Sequence, residues 1–267
     1  MLVSARQGDC QNLDNGHRPP AREPPLQGDG ALRAASARSR HVTTRPAPPE
    51  LRGLLATEPW FGSCPADFQR ALVDAGRLHR LADGERLFAR GASADGLCCV
   101  IAGALRMGSL DEEGGAALLA FVEPYQWFGE ISMVDGLPRT HDAEADGPTE
   151  VLLVPRAALL DWLQAHPAHW RDLARLACGK LRQAFDVLED IQRLPLEKRL
   201  MKRLWLQSRG FGSRPARRKL RLPQDQLALM MGVSRQSVNR ALQALEAQGK
   251  ISLHYGSIEL HGDEPST

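Results

Sequence analysis

The 267-residue chain is 43% apolar and 25% charged, an ordinary soluble composition, and no run approaches the roughly 18 uninterrupted apolar residues of a transmembrane helix. Met1 to Asp9 hold no long apolar segment, so no secretory signal is expected and the expected location is the cytoplasm. The net charge of +2 conceals a division: residues 1–50 carry 7 basic and 5 acidic side chains, 51–194 carry 14 and 21, and 195–267 carry 13 and 6. A basic carboxy-terminal segment behind an acidic body suits a nucleic-acid-binding domain joined to another domain.

Residues 1–50 are rich in Pro, Gly, Arg and Ser, with Arg18-Pro19-Pro20, Glu23-Pro24-Pro25 and Pro46-Ala47-Pro48-Pro49. Such a stretch buries too little apolar surface to offset the entropy of ordering, and a disordered arm is predicted. It either touches DNA phosphates or is a leader without a role.

From Leu51 the pattern changes. A short helix is predicted at Ala66–Leu72. Short runs follow at Leu81–Phe88, Leu97–Ala102, Gly103–Met107 and Ala117–Val122, separated by the turn formers Asp83-Gly84, Asp95-Gly96 and Glu113-Gly114-Gly115. Strands recurring about every ten residues predict a small antiparallel barrel or jelly roll, ending with a buried strand at Glu150–Pro155.

The five cysteines, Cys10, Cys64, Cys98, Cys99 and Cys178, form no C-x-x-C pair, and no histidine cluster completes a ligand set. Neither a metal nor an iron–sulfur cluster is expected. Cys98 and Cys99 lie in an apolar run and are predicted to be buried strand residues facing opposite ways.

A long helix is predicted from about Pro167 to Ile191. Trp170, Leu173, Ala177, Leu181, Ala184, Leu188 and Ile191 recur at spacings of three and four, and Pro195 ends the helix. Its apolar stripe packs on the barrel or, as the small Ala177 and Ala184 favour, against the same helix of a second copy.

Residues 224–246 carry the sharpest signal. A first helix with apolar Leu227, Ala228 and Met231 meets a turn at Gly232, then a second helix with Val238, Leu242 and Leu245 inward. Ser234 stands where a cap is needed. Arg235, Gln236, Asn239 and Arg240 fall on the outer face of the second helix, where a helix-turn-helix meets base edges. Arginine can pair with guanine O6/N7, and Gln or Asn with adenine N6/N7. Lys250–His254 and Ser257–Leu260, flanking Tyr255-Gly256, predict a two-stranded wing. Arg214, Arg217, Arg218, Lys219 and Arg221 offer charge to phosphates.

A jelly roll, a long helix and a winged helix-turn-helix, in this order, resemble the catabolite activator (CRP/FNR) family of bacterial transcription regulators, over about Leu51 to Leu260. Phe128-Gly129-Glu130-Ile131-Ser132-Met133, followed after five residues by Arg139-Thr140, is similar to the phosphate cassette of cyclic-nucleotide-binding domains. With the arm over 1–50 outside it, the resemblance implies an α+β chain: an effector domain over 51–166, a dimerisation helix over 167–194 and a DNA-binding domain over 195–262.

It also implies roles. Gly129, Glu130, Ile131, Arg139 and Thr140 would hold the phosphate and ribose of a small effector, cyclic AMP or another cyclic nucleotide being the candidate. Ser234, Arg235, Gln236, Ser237, Asn239 and Arg240 would contact a near-palindromic DNA site as part of a homodimer, with RNA polymerase as a further partner. His141 replaces a small residue that is usual after the Arg-Thr pair. Ala184 and Phe185 stand where cyclic-AMP-responsive members place two hydroxyls for the adenine, so Phe185 is expected to stack instead. An effector-independent DNA-binding regulator and a nucleotide-binding subunit acting through protein contacts remain as alternatives. No arrangement of nucleophile and base, metal ligands or phosphate loop suggests an enzyme.

Overall fold

A computed structural model describes residues 45–110, 116–209 and 218–263. Cys10 and most of the amino-terminal arm, the Glu113-Gly114-Gly115 turn, and Arg214 and Arg217 lie outside the described residues. Among those described, the first strand β1 (Arg45–Pro46) already pairs antiparallel with β2 (Arg77–Leu81). The packed chain therefore begins inside the stretch read as an arm. The proline-rich composition hid it, because an edge strand tolerates a residue without an N–H.

Three helices, α1 (Leu51–Leu55), α2 (Pro59–Ser63) and α3 (Ala66–Ala75), precede β2. The buried Glu58 carboxylate caps α2 by accepting from the backbone N–H groups of Trp60 and Phe61 at 3.1 and 2.8 Å. The Leu81–Phe88 run divides at Asp83-Gly84 into β2 and β3 (Arg86–Phe88), and the Gly103–Met107 run starts only after a turn at Gly103. The strands then follow as β4 (Gly96–Ala102), β5 (Leu105–Leu110), β6 (Ala116–Val122), β7 (Trp127–Phe128), the short helix α4 (Glu130–Asp135), β8 (Asp142–Ala145) and β9 (Thr149–Pro155).

Two antiparallel sheets result, ordered β1-β2-β9-β4-β7 and β3-β8-β5-β6, which is the jelly roll that the strand spacing predicts. Between them lie Leu81, Phe88, Cys98, Val100, Leu105, Phe128 and Val151. The outer face of the larger sheet is covered by Leu55, Phe61, Phe68, Leu72, Leu159 and Leu163 from the helices. As predicted, the adjacent cysteines part company, Cys98 entering the inter-sheet core and Cys99 the outer one. Burial pushes the Cys64 and Cys98 thiols up to about 12. A thiol-reactive reagent at pH 8 should therefore leave Cys64, Cys98 and Cys99 unmodified in native protein and label all three after denaturation. Peptide mass mapping checks this, and labelling of any of them in the native state would contradict their packing.

Helix α5 (Arg156–Ala165) and a 3-10 turn at Pro167–His169 lead into α6 (Trp170–Arg193). The residue before Pro195, Leu194, is extended at φ −110°, ψ 141°, as proline demands of its predecessor, and α7 (Leu196–Arg209) starts directly after it. The basic segment then folds as β10 (Lys219–Leu220), α8 (Gln224–Met231), α9 (Arg235–Ala247), β11 (Ile251–His254) and β12 (Ser257–Leu260). Its three strands form one sheet ordered β10-β12-β11.

Leu200, Leu204, Trp205, Leu227, Val238, Leu242, Leu245 and Ile258 make its core, and Leu118 and Phe121 of β6 join them. The Arg203 guanidinium donates to the Leu119 carbonyl and the Gln207 amide to the Phe121 carbonyl, so α7 covers the outer edge of β6.

Candidate functional site

The cassette is built on a glycine. Gly129 holds φ +89°, and a Cβ there would run into the Arg139 guanidinium. The chain therefore turns sharply into α4, bringing Glu130 to one side and leaving Arg139, beyond the helix, to fold back beneath Gly129.

Arg139 is almost fully buried. Its guanidinium donates to the Asp95 carboxylate, to the Gly96 carbonyl at 2.7 Å and to the Gly129 carbonyl at 3.4 Å, and lies 4.3 Å from the centroid of the Phe88 ring. Its Nε is buried without a partner. The Glu130 carboxylate, 2% exposed, accepts from Lys180 Nζ of α6 at 2.7 Å. Glu130 and Arg139 thus do not pair with each other; each has its own counter-ion.

Asp95, Phe88 and Lys180 escape the sequence reading. Asp95-Gly96 registers only as a turn former, and nothing in the helical periodicity marks Lys180 as facing inward. Thr140 is exposed, and its hydroxyl shares a 2.9 Å hydrogen bond with Nδ1 of His141. Burial first, then the Arg90 charge, hold the His141 imidazole below the usual histidine range. The neutral ring at Thr140 is thereby favoured.

Ile131 is exposed on α4. Phe185 is not brought to this group: it is 56% exposed, and at about 100° per residue it points some 140° around α6 from Lys180. Within its own chain Phe185 therefore does not line the cassette, and its stacking on an effector base stays a proposal.

Instead, Phe185 belongs to an outer apolar face. Leu173 and Leu176, nearer the start of α6, are buried against the jelly roll, but Leu181, Leu188 and Ile191 are between 53 and 55% exposed. The inner face of the same stretch is polar, with Lys180 on Glu130 and Asp190 on Lys202 of α7, both at 2.7 Å. An apolar exterior over an ion-paired interior is the reverse of a solvent-facing helix. Leu181, Ala184, Leu188 and Ile191 keep the 3-4-3 spacing of a helix seam.

The basic segment presents the second site. Gly232 ends α8 at φ +63°, and Ser234 caps α9 by accepting from the Ser237 N–H at 3.1 Å. Its Oγ is also 2.9 Å from that of Ser237. Val238, Ala241, Leu242 and Leu245 anchor one side of α9 in the core, while Arg235, Gln236 and Arg240 are exposed on the other. Asn239 lies on that outer side but is partly buried, its amide donating to Gln224 Oε1 at 3.1 Å. The wing strands pair in register with Tyr255-Gly256 at the tip, and Arg218, Lys219 and Arg221 are exposed beside them.

Residues 78–166 match the model of the cyclic nucleotide-binding domain, and residues 198–262 that of the Crp-like helix-turn-helix domain. The chain is 29% identical over 184 residues to the CRP-like cAMP-activated global transcriptional regulator of Mycobacterium tuberculosis, covering 68% of this chain and 82% of that one. It is 31% identical over 163 residues to the transcriptional regulator SdrP of Thermus thermophilus, covering 60% of this chain and 77% of the relative. The solved structure of FixK2 from Bradyrhizobium japonicum shares the fold at a TM-score of 0.62 and 24% identity, over 70% of this chain and 93% of that one.

Proposed function

Because the chain belongs to the CRP/FNR family of transcriptional regulators, we propose that it acts as a homodimeric, sequence-specific DNA-binding regulator governed by a small effector. Residues 51–166 form the effector domain, 167–194 the dimerisation helix and 195–262 the DNA-binding domain. The protein works in the cytoplasm without catalytic activity of its own, and engages RNA polymerase once on DNA. The observation that carries this reading is α9, capped by Ser234 and anchored by its inner side, with Arg235, Gln236 and Arg240 open to a groove.

Two such helices, related by the seam on α6, would enter successive major grooves about 34 Å apart. A cyclic nucleotide is the effector that Gly129, Glu130, Ile131, Arg139 and Thr140 suit best. A ligand phosphate would displace Asp95 from Arg139, and a ribose hydroxyl would compete with Lys180 for Glu130. Because Lys180 sits on α6, such an exchange would be felt directly by the dimerisation helix, which gives the ligand a differential affinity for two arrangements of the protein. Phe185 contributes to the seam.

Arg240→Ala is expected to cost about tenfold or more in affinity for a selected duplex, while non-specific binding falls only slightly, because an arginine–guanine pair discriminates by roughly 1–3 kcal/mol. Fluorescence anisotropy against matched and scrambled duplexes reads this; equal losses on both would contradict a base-reading role. Calorimetry with cyclic AMP and cyclic GMP separates the alternatives. Specific DNA binding with no nucleotide bound favours an effector-independent regulator, and nucleotide binding without DNA binding favours a subunit acting through protein contacts.

A further inference from the structure

We propose that Gln224, the first residue of α8, is a positioning residue that fixes the side-chain amide of Asn239 to read adenine. The proposal rests on α9 being the DNA-reading helix. At about 100° per residue, Arg235, Asn239, Gln236 and Arg240 fall in that order across an arc of about 140°, so Asn239 sits within the reading face rather than at its rim. Yet it differs from the other three. They are exposed, whereas Asn239 is partly buried and tied across the helix-turn-helix by Nδ2 donating to Gln224 Oε1 at 3.1 Å.

An Asn amide has two N–H donors and one acceptor oxygen. The bond to Gln224 consumes one donor. Where that donor is the N–H pointing away from Oδ1, the N–H left beside Oδ1 completes the donor–acceptor edge that pairs with adenine N7 and N6–H. Without Gln224 the amide turns freely, and part of the binding free energy is spent on orienting it. A single hydrogen bond therefore selects the rotamer and the face that this residue shows to DNA.

The test uses the full-length protein and a randomised duplex library, with and without cyclic AMP and cyclic GMP. Dissociation constants are then measured on the selected duplex and on all its single-base variants for wild type, Asn239→Ala, Gln224→Met and Gln224→Glu. Asn239→Ala should lose the preference for A·T at one position in each half-site. Gln224→Met should lose roughly tenfold of the preference at that same position and keep the others.

Gln224→Glu retains an acceptor for Nδ2. It should keep the A·T preference while weakening binding to all duplexes, more so at low salt, because it adds a charge near phosphates. Three results overturn the assignment: Gln224→Met keeping the Asn239-dependent preference, Gln224→Met weakening every position equally, or Gln224→Glu losing the preference. A wild-type protein that enriches no sequence under any condition instead overturns the reading of α9 itself.

Discussion

Replacing Leu181 and Leu188 together by glutamate is expected to convert the protein to a monomer and to abolish high-affinity binding to a palindromic duplex. Both side chains are a little over half exposed, so each copy has about half of each side chain left to bury. Across two copies that is four such faces. At about 1 kcal/mol each, the seam loses about 4 kcal/mol, close to a thousandfold in the dimer dissociation constant, before charge repulsion is added. Glutamate is a good helix former, so α6 itself should survive, and the inner ion pairs of Lys180 and Asp190 are untouched. With the two half-sites no longer held by one particle, the avidity term disappears and DNA affinity should fall a hundredfold or more. Light scattering coupled to size exclusion gives the mass, and anisotropy the affinity. A double variant that remains a dimer would place the subunit contact elsewhere.

Arg139→Ala is the second large effect, and it acts on folding and binding at once. The guanidinium is 2% exposed, and its removal leaves the Gly96 carbonyl without its 2.7 Å donor and Phe88 without its covering cation. Asp95 is 46% exposed and can rehydrate, so the cost belongs at the lower end of the range for breaking a buried pair, about 3 kcal/mol. Thermal unfolding should shift down by about 10 °C. Any response to an anionic effector should vanish with it.

A loss of binding in an unstable protein proves little, so Asp95→Asn is the informative companion. It keeps Arg139 and its carbonyl contacts but removes the carboxylate that occupies the guanidinium. Anionic ligands should then bind more tightly than to wild type. Unchanged affinity in Asp95→Asn would show that Arg139 does not meet the ligand.

The reach of the sequence differed between the two halves of the chain. The helix-turn-helix was legible almost residue by residue, because it is local: a glycine at φ > 0, a serine cap and two amphipathic helices lie within 23 consecutive positions. The jelly roll was legible as a class but not as a topology, since β9 pairs with both β2 and β4 across long separations that no periodicity encodes. The cassette shows the division most sharply. Gly129, Glu130 and Arg139 stood out through their resemblance to a family cassette, whereas Asp95 and Lys180, 44 and 50 residues away, meet them only after folding. Phe185 comes from the family resemblance alone, and rotation about α6 places it about 140° from Lys180. Gln224 carried no signal at all, because its importance lies in one bond across the turn.

The edge of β6 bears on how the protein can be handled. A strand at the rim of a sheet offers unpaired backbone groups to any passing chain, and here Arg203 and Gln207 of α7 occupy two of its carbonyls while Leu118 and Phe121 sink into the neighbouring core. Severing the chain before α7, the obvious place to isolate an effector domain, would strip that cover and leave a bare template for intermolecular β-pairing. Such a fragment should oligomerise through its open edge, and its association should not be mistaken for the assembly of the intact regulator.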